Sequence, residues 1–303
     1  MTSNLLEPIT QLFRAQRPLW ACEFTEKHLI VAGVSSSRKK VTAKTASYLP
    51  AHALSGSLSE KNFSDSNTVR DALKELIGRS GFKGGHEVGV VIPDDAARIT
   101  FITAESLPSS DEERAAFIRW KLKKTVPFEV DTAQIAFSVV GSRTEGENKG
   151  TDLMVTLSPR NVIEEYEHVM ESLGYEAGYV VPSSLAASNL YAPPKGDVIF
   201  MKIAPGCIST MVFQNGRPEF YRKVPEMPLY DAIYPTLMYY QDKLGGAGLA
   251  SVTVCGYEGD LQLELKDLKN KLEIPVEKLG PNTIDDIFKP VLGAVDVVWA
   301  NLI

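Results

Sequence analysis

Only three cysteines occur in the 303 residues, Cys22, Cys207 and Cys255, and no two of them form a C-x-x-C pair. An odd, scattered set argues against a disulfide framework or a thiolate zinc site and suits a reducing compartment. Histidine is equally scarce. His28, His52, His86 and His168 stand singly, without H-x-x-x-H or His–Cys spacing, and read as solvated or hydrogen-bonded structural residues rather than metal ligands. Neither a G-x-S-x-G elbow nor a G-x-x-x-x-G-K-[ST] loop is present, which removes the commonest signatures of serine hydrolases and P-loop enzymes. No apolar run approaches the ~20 residues that cross a bilayer, and the first residues lack the pattern of a secretory signal. Positive charge is not in excess: 32 Lys and Arg stand against 38 Asp and Glu, for a formal charge of −6. That balance gives no general electrostatic reason to bind nucleic acid or an acidic membrane. The expectation is a cytoplasmic protein, or a soluble part of something larger.

What remains is ordinary globular material, 44% apolar and 23% charged, long enough for two domains or one bilobal unit. Residues 4–16 (NLLEPITQLFRAQ) set Leu5, Leu6, Ile9, Leu12 and Phe13 on one helical face, a helix that packs on the body or lies on a membrane or partner. Strands are expected at 19–24, 28–34, 41–48 and 88–92, with an amphipathic helix over 67–79. GRSGFKGG at 78–85 follows a helix and precedes a strand. A phosphate loop needs the reverse order, so this stretch reads as a turn. Strand 97–104 leads into a helix opened by a Ser110/Glu113 capping box, running to Val126 and stopped by Pro127. Strands 133–140 and 152–157 flank the polar hairpin GSRTEGENKG. Ser158-Pro159 then opens a helix, as cap and first-turn proline, which Gly174 ends. Strand 176–181 and helix 183–191 precede the linker Ala-Pro-Pro-Lys-Gly at 192–196. Beyond it come IFMKIAPGCISTMVFQNGRPEFYRKV, a hairpin turning at Asn215-Gly216, then helix 229–244, strand 250–255, helix 260–272, strand 274–278 and a terminal helix from about 283. This order makes an α/β protein in two lobes, 1–195 and 196–303. No internal repeat is evident.

The stretch LPSSDEERAAFIRWKLKKTVPFEVDTAQIAFSVVG at 107–141, a Leu-Pro, an acidic capped helix, a Pro-Phe stop and a strand, resembles the inserted subdomain of PilM. PilM is the actin-like cytoplasmic protein of type IV pilus assembly, related to FtsA. VIEEYEHVMESLGYEAGYVVPSSLAASN, then QNGRPEFYRKVP, LMYYQDKL, VTVCG and LKNKLEIPVEKLGP follow in the family's order, so the resemblance covers roughly 88–295. It implies a two-lobed actin-like (Hsp70/FtsA-type, RNase H-like) fold, with an inserted small α+β subdomain (94–175) in lobe one. About ten residues separate Val224 from the helix matching LMYYQDKL, which implies a reduced second lobe without the subdomain that closes over a nucleotide.

The fold also implies ATP between the lobes, held by two Asp-x-Gly loops and a Gly-Gly turn whose glycines admit phosphate to backbone amides and whose carboxylates organise Mg²⁺. This chain departs at each place. Glu23 and Thr25 stand for the first Asp and Gly, Lys202 and Ala204 for the second pair, and Gly256 is followed by Tyr257 rather than glycine. Lys202 marks a site without its metal-organising carboxylate, or is simply a solvated residue at a strand end. The expectation is therefore no cofactor, no metal and no catalysis: a scaffold at the inner membrane that holds the cytoplasmic N-terminal segment of a PilN-like membrane protein. The cytoplasmic part of a GspL-like type II secretion protein and an actin-fold ATPase are the alternatives. The family places the partner's segment between the first and the inserted subdomains. Arg119, Trp120, Lys123, Lys124 and Phe128 are the expected contacts, aromatic and basic residues being common interface anchors. A solvated basic helix face, with Trp120 and Phe128 in the subdomain's own core, is the plainer reading of the same residues.

Overall fold

The computed structural model describes residues 17–82, 85–145, 148–193, 195–257, 261–280 and 283–296, leaving aside the side chains of 144, 145, 148 and 149. The amphipathic stretch 4–16 lies outside the described residues. Three sheets organise the chain. The first joins β1 (Trp20–Phe24), β2 (His28–Val34), β3 (Val41–Tyr48), β4 (Glu87–Ile92) and β8 (Glu176–Pro182) in the order β3-β2-β1-β4-β8. The second joins β9 (Asp197–Ala204), β10 (Cys207–Gln214), β11 (Arg217–Pro225), β12 (Leu249–Cys255) and β13 (Val276–Lys278) in the order β11-β10-β9-β12-β13. Each sheet starts with three antiparallel strands in a meander and continues with two strands parallel to its first. The two lobes thus repeat one topology, a repeat that the sequence conceals because strand order is set by pairing and not by residue identity.

Central strands are buried on both faces, as helix-covered strands must be. β1 is buried throughout, and so is β2, whereas edge strand β3 is only half-buried. One side of the first sheet is covered by α1 (Ser66–Ser80) and α3 (Arg160–Glu171), whose Val69, Leu73, Val162, Tyr166 and Met170 pack with Trp20, Phe24 and Leu29. Asp65 caps α1 by accepting from the Asn67 and Thr68 amides, and Gly81 closes it at φ 66°. The other side packs on α4 (Ser183–Ser188) and α7 (Lys289–Ala294). α7 follows the second lobe in sequence yet packs on the first sheet. A side chain at Gly293 would strike the Ala186 carbonyl, so only glycine lets these helices cross so closely. In the second lobe α5 (Leu229–Lys243) and α6 (Gln262–Leu272) cover Ile199, Met201, Val212 and Val252. β11 ends at Pro225 and α5 starts at Leu229, leaving no room for a separate closing subdomain there.

The third sheet is the insertion between β4 and α3. β5 (Arg98–Ala104), β6 (Gln134–Glu145) and β7 (Asn148–Ser158) pair antiparallel in the order β5-β7-β6, with α2 (Asp111–Leu122) on one face. The expected extent of 94–175 is too long. α3 leaves the insertion and packs into the first lobe's core through Val162, Tyr166 and Met170. The polar hairpin after Val140 is ladder as far as Glu145 paired with Asn148, strengthened by Arg143 on Asp152 at 2.9 Å. α2 stops at Leu122 rather than Val126, because the amide and hydroxyl of Thr125 donate to the Leu122 carbonyl. Ser158 does not cap α3; its hydroxyl donates to the Ala96 carbonyl.

Candidate functional site

Two places bring functional side chains together: the cleft between the lobes, and a groove where the insertion meets the first lobe. At the cleft, two tight turns face each other, one between β1 and β2, the other between β9 and β10. In the first, Thr25 organises its own turn. Its hydroxyl donates to the His28 carbonyl at 3.0 Å and accepts from the His28 amide at 2.8 Å and the Lys27 amide at 3.3 Å. The backbone donors of that turn therefore already have a partner. In the second, Gly206 takes φ 81°, and a side chain there would meet Glu26 of the opposite turn at 3.1 Å. A carboxylate thus closes on the second turn from across the cleft.

Behind the turns the lobes are joined by buried polar contacts. Tyr257, which follows β12, reaches the first lobe, its hydroxyl 2.8 Å from Thr25 Oγ1 and hydrogen-bonded to His28 Nδ1. Asp94, at the end of β4, accepts from the Ser184 amide and hydroxyl at 2.9 and 2.8 Å and from Ser209 of the second lobe at 2.8 Å. Tyr221 donates to Ser209 at 2.9 Å, and Lys223 bridges to the Asp94 carbonyl at 2.8 Å and to Asp95 at 2.6 Å. Glu23 is fully buried and accepts from Ser183 at 2.6 Å, while its second oxygen has no hydrogen-bond partner. Burial holds its pKa up at about 7, although the Lys202 ammonium and the Ser183 hydroxyl pull it down. Lys202 is only 1% exposed, which corrects the reading of a solvated strand-end lysine. Its ammonium donates to the Ile203 carbonyl at 3.0 Å and lies 5.6 Å from the Tyr257 ring centre. Next to Tyr257, an opening of about 920 Å³ is lined by Glu277, Lys278, Asp285, Asp286 and Lys289 among others. Lys289 is ion-paired with Asp286, so the opening has no surplus of positive charge for a polyphosphate.

The second place is a groove of about 330 Å³. Gln134 and Ala136 of β6 and Thr156 and Ser158 of β7 form one wall; Ala177, Gly178, Tyr179 and Val180 of β8 form the other, with Ile163 and Glu167 of α3 at its side. β6 and β8 are each at the edge of their sheet. Two strand edges thus flank an apolar channel, an arrangement suited to an added extended segment. Sequence reasoning missed these residues. A small alanine on a strand and a glutamate on a helix carry no signal until the two edges are brought together.

The five expected contact residues do not line this groove. α2 covers the opposite face of the small sheet, where Ile118 and Leu122 pack on Ile135, Phe137, Leu153 and Val155. Phe128 belongs to that core. Arg119 is fastened to the Ala133 carbonyl at 3.2 Å, and Lys123 is ion-paired with Asp131 at 2.7 Å. Lys124 is exposed, and Trp120, 70% exposed, faces solvent. Gln134, Ala136, Thr156 and Ser158 line the groove at alternate positions of β6 and β7, while Ile135 and Leu157 between them belong both to the groove lining and to the core under α2.

No family profile matches the sequence, and no curated protein matches it by sequence. Solved structures do match. A chain of a structure described as a PilM–PilN type IV pilus biogenesis complex superposes with a TM-score of 0.75 at 15% identity, covering 94% of this chain and 100% of that one. A protein of unknown function with an actin-like ATPase fold from Bacteroides thetaiotaomicron superposes at 0.54, with 13% identity and 92% and 96% coverage. The ethanolamine utilization protein EutJ from Carboxydothermus hydrogenoformans superposes at 0.52, with 12% identity and 97% and 98% coverage. The chain has an actin-like fold. In that fold the nucleotide and its metal lie between the lobes, so the residues of the cleft can be tested against them. They do not fit. The first turn's amides are taken by Thr25, Glu26 faces the second turn, and the buried Lys202 ammonium and the Tyr257 ring fill the space behind the turns.

Proposed function

We propose that this chain is a non-enzymatic adaptor of a type IV pilus or related secretion platform. It lies in the cytoplasm against the inner membrane and holds the cytoplasmic N-terminal segment of a PilN-like membrane protein. The observation that carries this reading is the end-to-end likeness to a chain of a PilM–PilN complex. The cleft supports the absence of catalysis: its side chains bind one another, which leaves an actin-like body whose lobes are joined by protein groups in place of a ligand. The groove between the edges of β6 and β8 is where the partner segment docks, as an added strand with apolar side chains in the channel.

The test is binding of a synthetic peptide with the sequence of a PilN-type cytoplasmic N-terminus from the same genome, followed by fluorescence anisotropy. Ala136 is exposed on the groove wall, so Ala136→Trp fills the channel without disturbing a core. Saturable binding to the wild type that disappears in a folded Ala136→Trp chain is expected. Equal binding to both places the partner elsewhere.

A further inference from the structure

The groove holds one charged side chain among the described residues that line it, Glu167 of α3. No hydrogen bond or ion pair engages its carboxylate among the described residues. Its neighbours along the helix deepen the negative potential. Burial, and then the adjacent Glu171 and Glu164 on the same face, push the Glu167 carboxyl above the ordinary range, while His168 and Arg160 offset them only in part. Around it the walls are uncharged: Gln134, Ala136 and Thr156 on one side, Ala177, Gly178 and Val180 on the other. An unpaired carboxylate at the side of an apolar, strand-edged channel favours a cation and disfavours an anion at a single register position of whatever enters.

We propose that Glu167 selects the segment that docks in this groove, requiring an extended, mostly apolar peptide that carries an arginine or lysine at the position facing α3. This rests on the reading that the groove takes a partner's segment, and it adds the chemistry by which one segment is chosen over another. The peptide backbone pairs with an open strand edge and gives affinity for any extended chain. The basic side chain, by meeting Glu167, fixes register and rejects acidic sequences. A pair of this kind weakens with salt, because its neighbourhood is only partly shielded from solvent.

The experiment selects random octapeptides displayed on phage against the whole chain and compares the winners on three proteins: wild type, Glu167→Arg and Ala136→Trp. Glu167 is only half-buried and lies outside the hydrophobic core that α3 forms with the first sheet, so both variants are expected to fold, and thermal melting checks this. The proposal expects winners with one dominant Arg or Lys position. It expects their synthetic copies to bind at least about tenfold more tightly than Arg→Glu counterparts, and that order to reverse on Glu167→Arg. Winners that are lost on Ala136→Trp but show no basic position, or whose preference ignores Glu167→Arg, overturn the role of Glu167 and leave the groove standing. Winners that bind Ala136→Trp as well as wild type overturn the groove itself, and the selection by Glu167 with it.

Discussion

Replacing Tyr257 with phenylalanine isolates the contact between the lobes. The ring stays in place, beside Lys202 and within the core shared by both lobes. What disappears is a hydroxyl that bonds Thr25 and His28 across a sequence separation of more than two hundred residues. A buried intramolecular hydrogen bond contributes about 0.5–1.5 kcal/mol net, so the loss of two is worth about 1–3 kcal/mol. At about 2.1 cal/mol/K of unfolding entropy per residue, that lowers the melting temperature of a chain of this size by about 1.5 °C for each kcal/mol. Truncation to glycine also removes the aromatic packing and costs about 3–5 kcal/mol. Thermal melting of Tyr257→Phe, Thr25→Val and the double variant apportions the effect. Thr25→Val is the costlier single change because the hydroxyl also organises its own turn. The cycle returns a coupling of about 1 kcal/mol between the two sites. A Tyr257→Phe chain within about 0.3 kcal/mol of wild type, or strictly additive variants, refutes a joined cleft.

Three further changes probe the same picture. Asp94→Ala leaves the Ser184 amide and the Ser209 hydroxyl without their acceptor in a buried setting, and denaturation is expected to show a loss of about 3 kcal/mol or more; a loss under about 1 kcal/mol contradicts the joining of the lobes through Asp94. Glu23 has a folded pKa of about 7 against an ordinary 4.5, so the folded chain holds that proton more tightly than the unfolded one. Its contribution is therefore full at low pH and is lost as pH rises through about 7, at most about 3 kcal/mol at 1.36 kcal/mol per pH unit. Glu23→Gln removes this fall, and parallel stability profiles for the two proteins contradict the assignment. Arg119→Glu with Lys123→Glu alters the exposed side of α2, away from the groove; capture of the partner peptide is expected to be unchanged, and its loss in a folded variant returns the site to α2.

Local chemistry was legible in the sequence, and long-range chemistry was not. The Asn215-Gly216 turn is where it was expected, with φ of 51° and 83°, because that pair tolerates the left-handed conformations of a two-residue hairpin turn. Ser110 caps α2 through the Glu113 amide at 3.3 Å. The altered residues of the cleft could be named one at a time, but nothing adjacent to Thr25 or Tyr257 shows that they touch. Lys202 read as a strand-end residue because its only local context is a continuous apolar run before a turn. Its burial comes from β10 and β12 on either side, from Tyr257 and from Glu23 of the opposite lobe. The resemblance placed the partner's segment between these two subdomains, but the residues that line the groove could not be read, since β6 and β8 become neighbours only once the insertion folds back on the first lobe. The basic run on α2 stands out in sequence by residue type, whereas the face it occupies depends on which side of the small sheet the helix covers.

An actin-like body whose cleft is closed by its own side chains is expected to take no nucleotide, and calorimetric titration of the whole chain with Mg-ATP up to millimolar concentration decides it. The turn amides held by Thr25, the Glu26 carboxylate at Gly206 and the Tyr257 ring predict no heat beyond dilution. A saturable isotherm with a micromolar dissociation constant contradicts it.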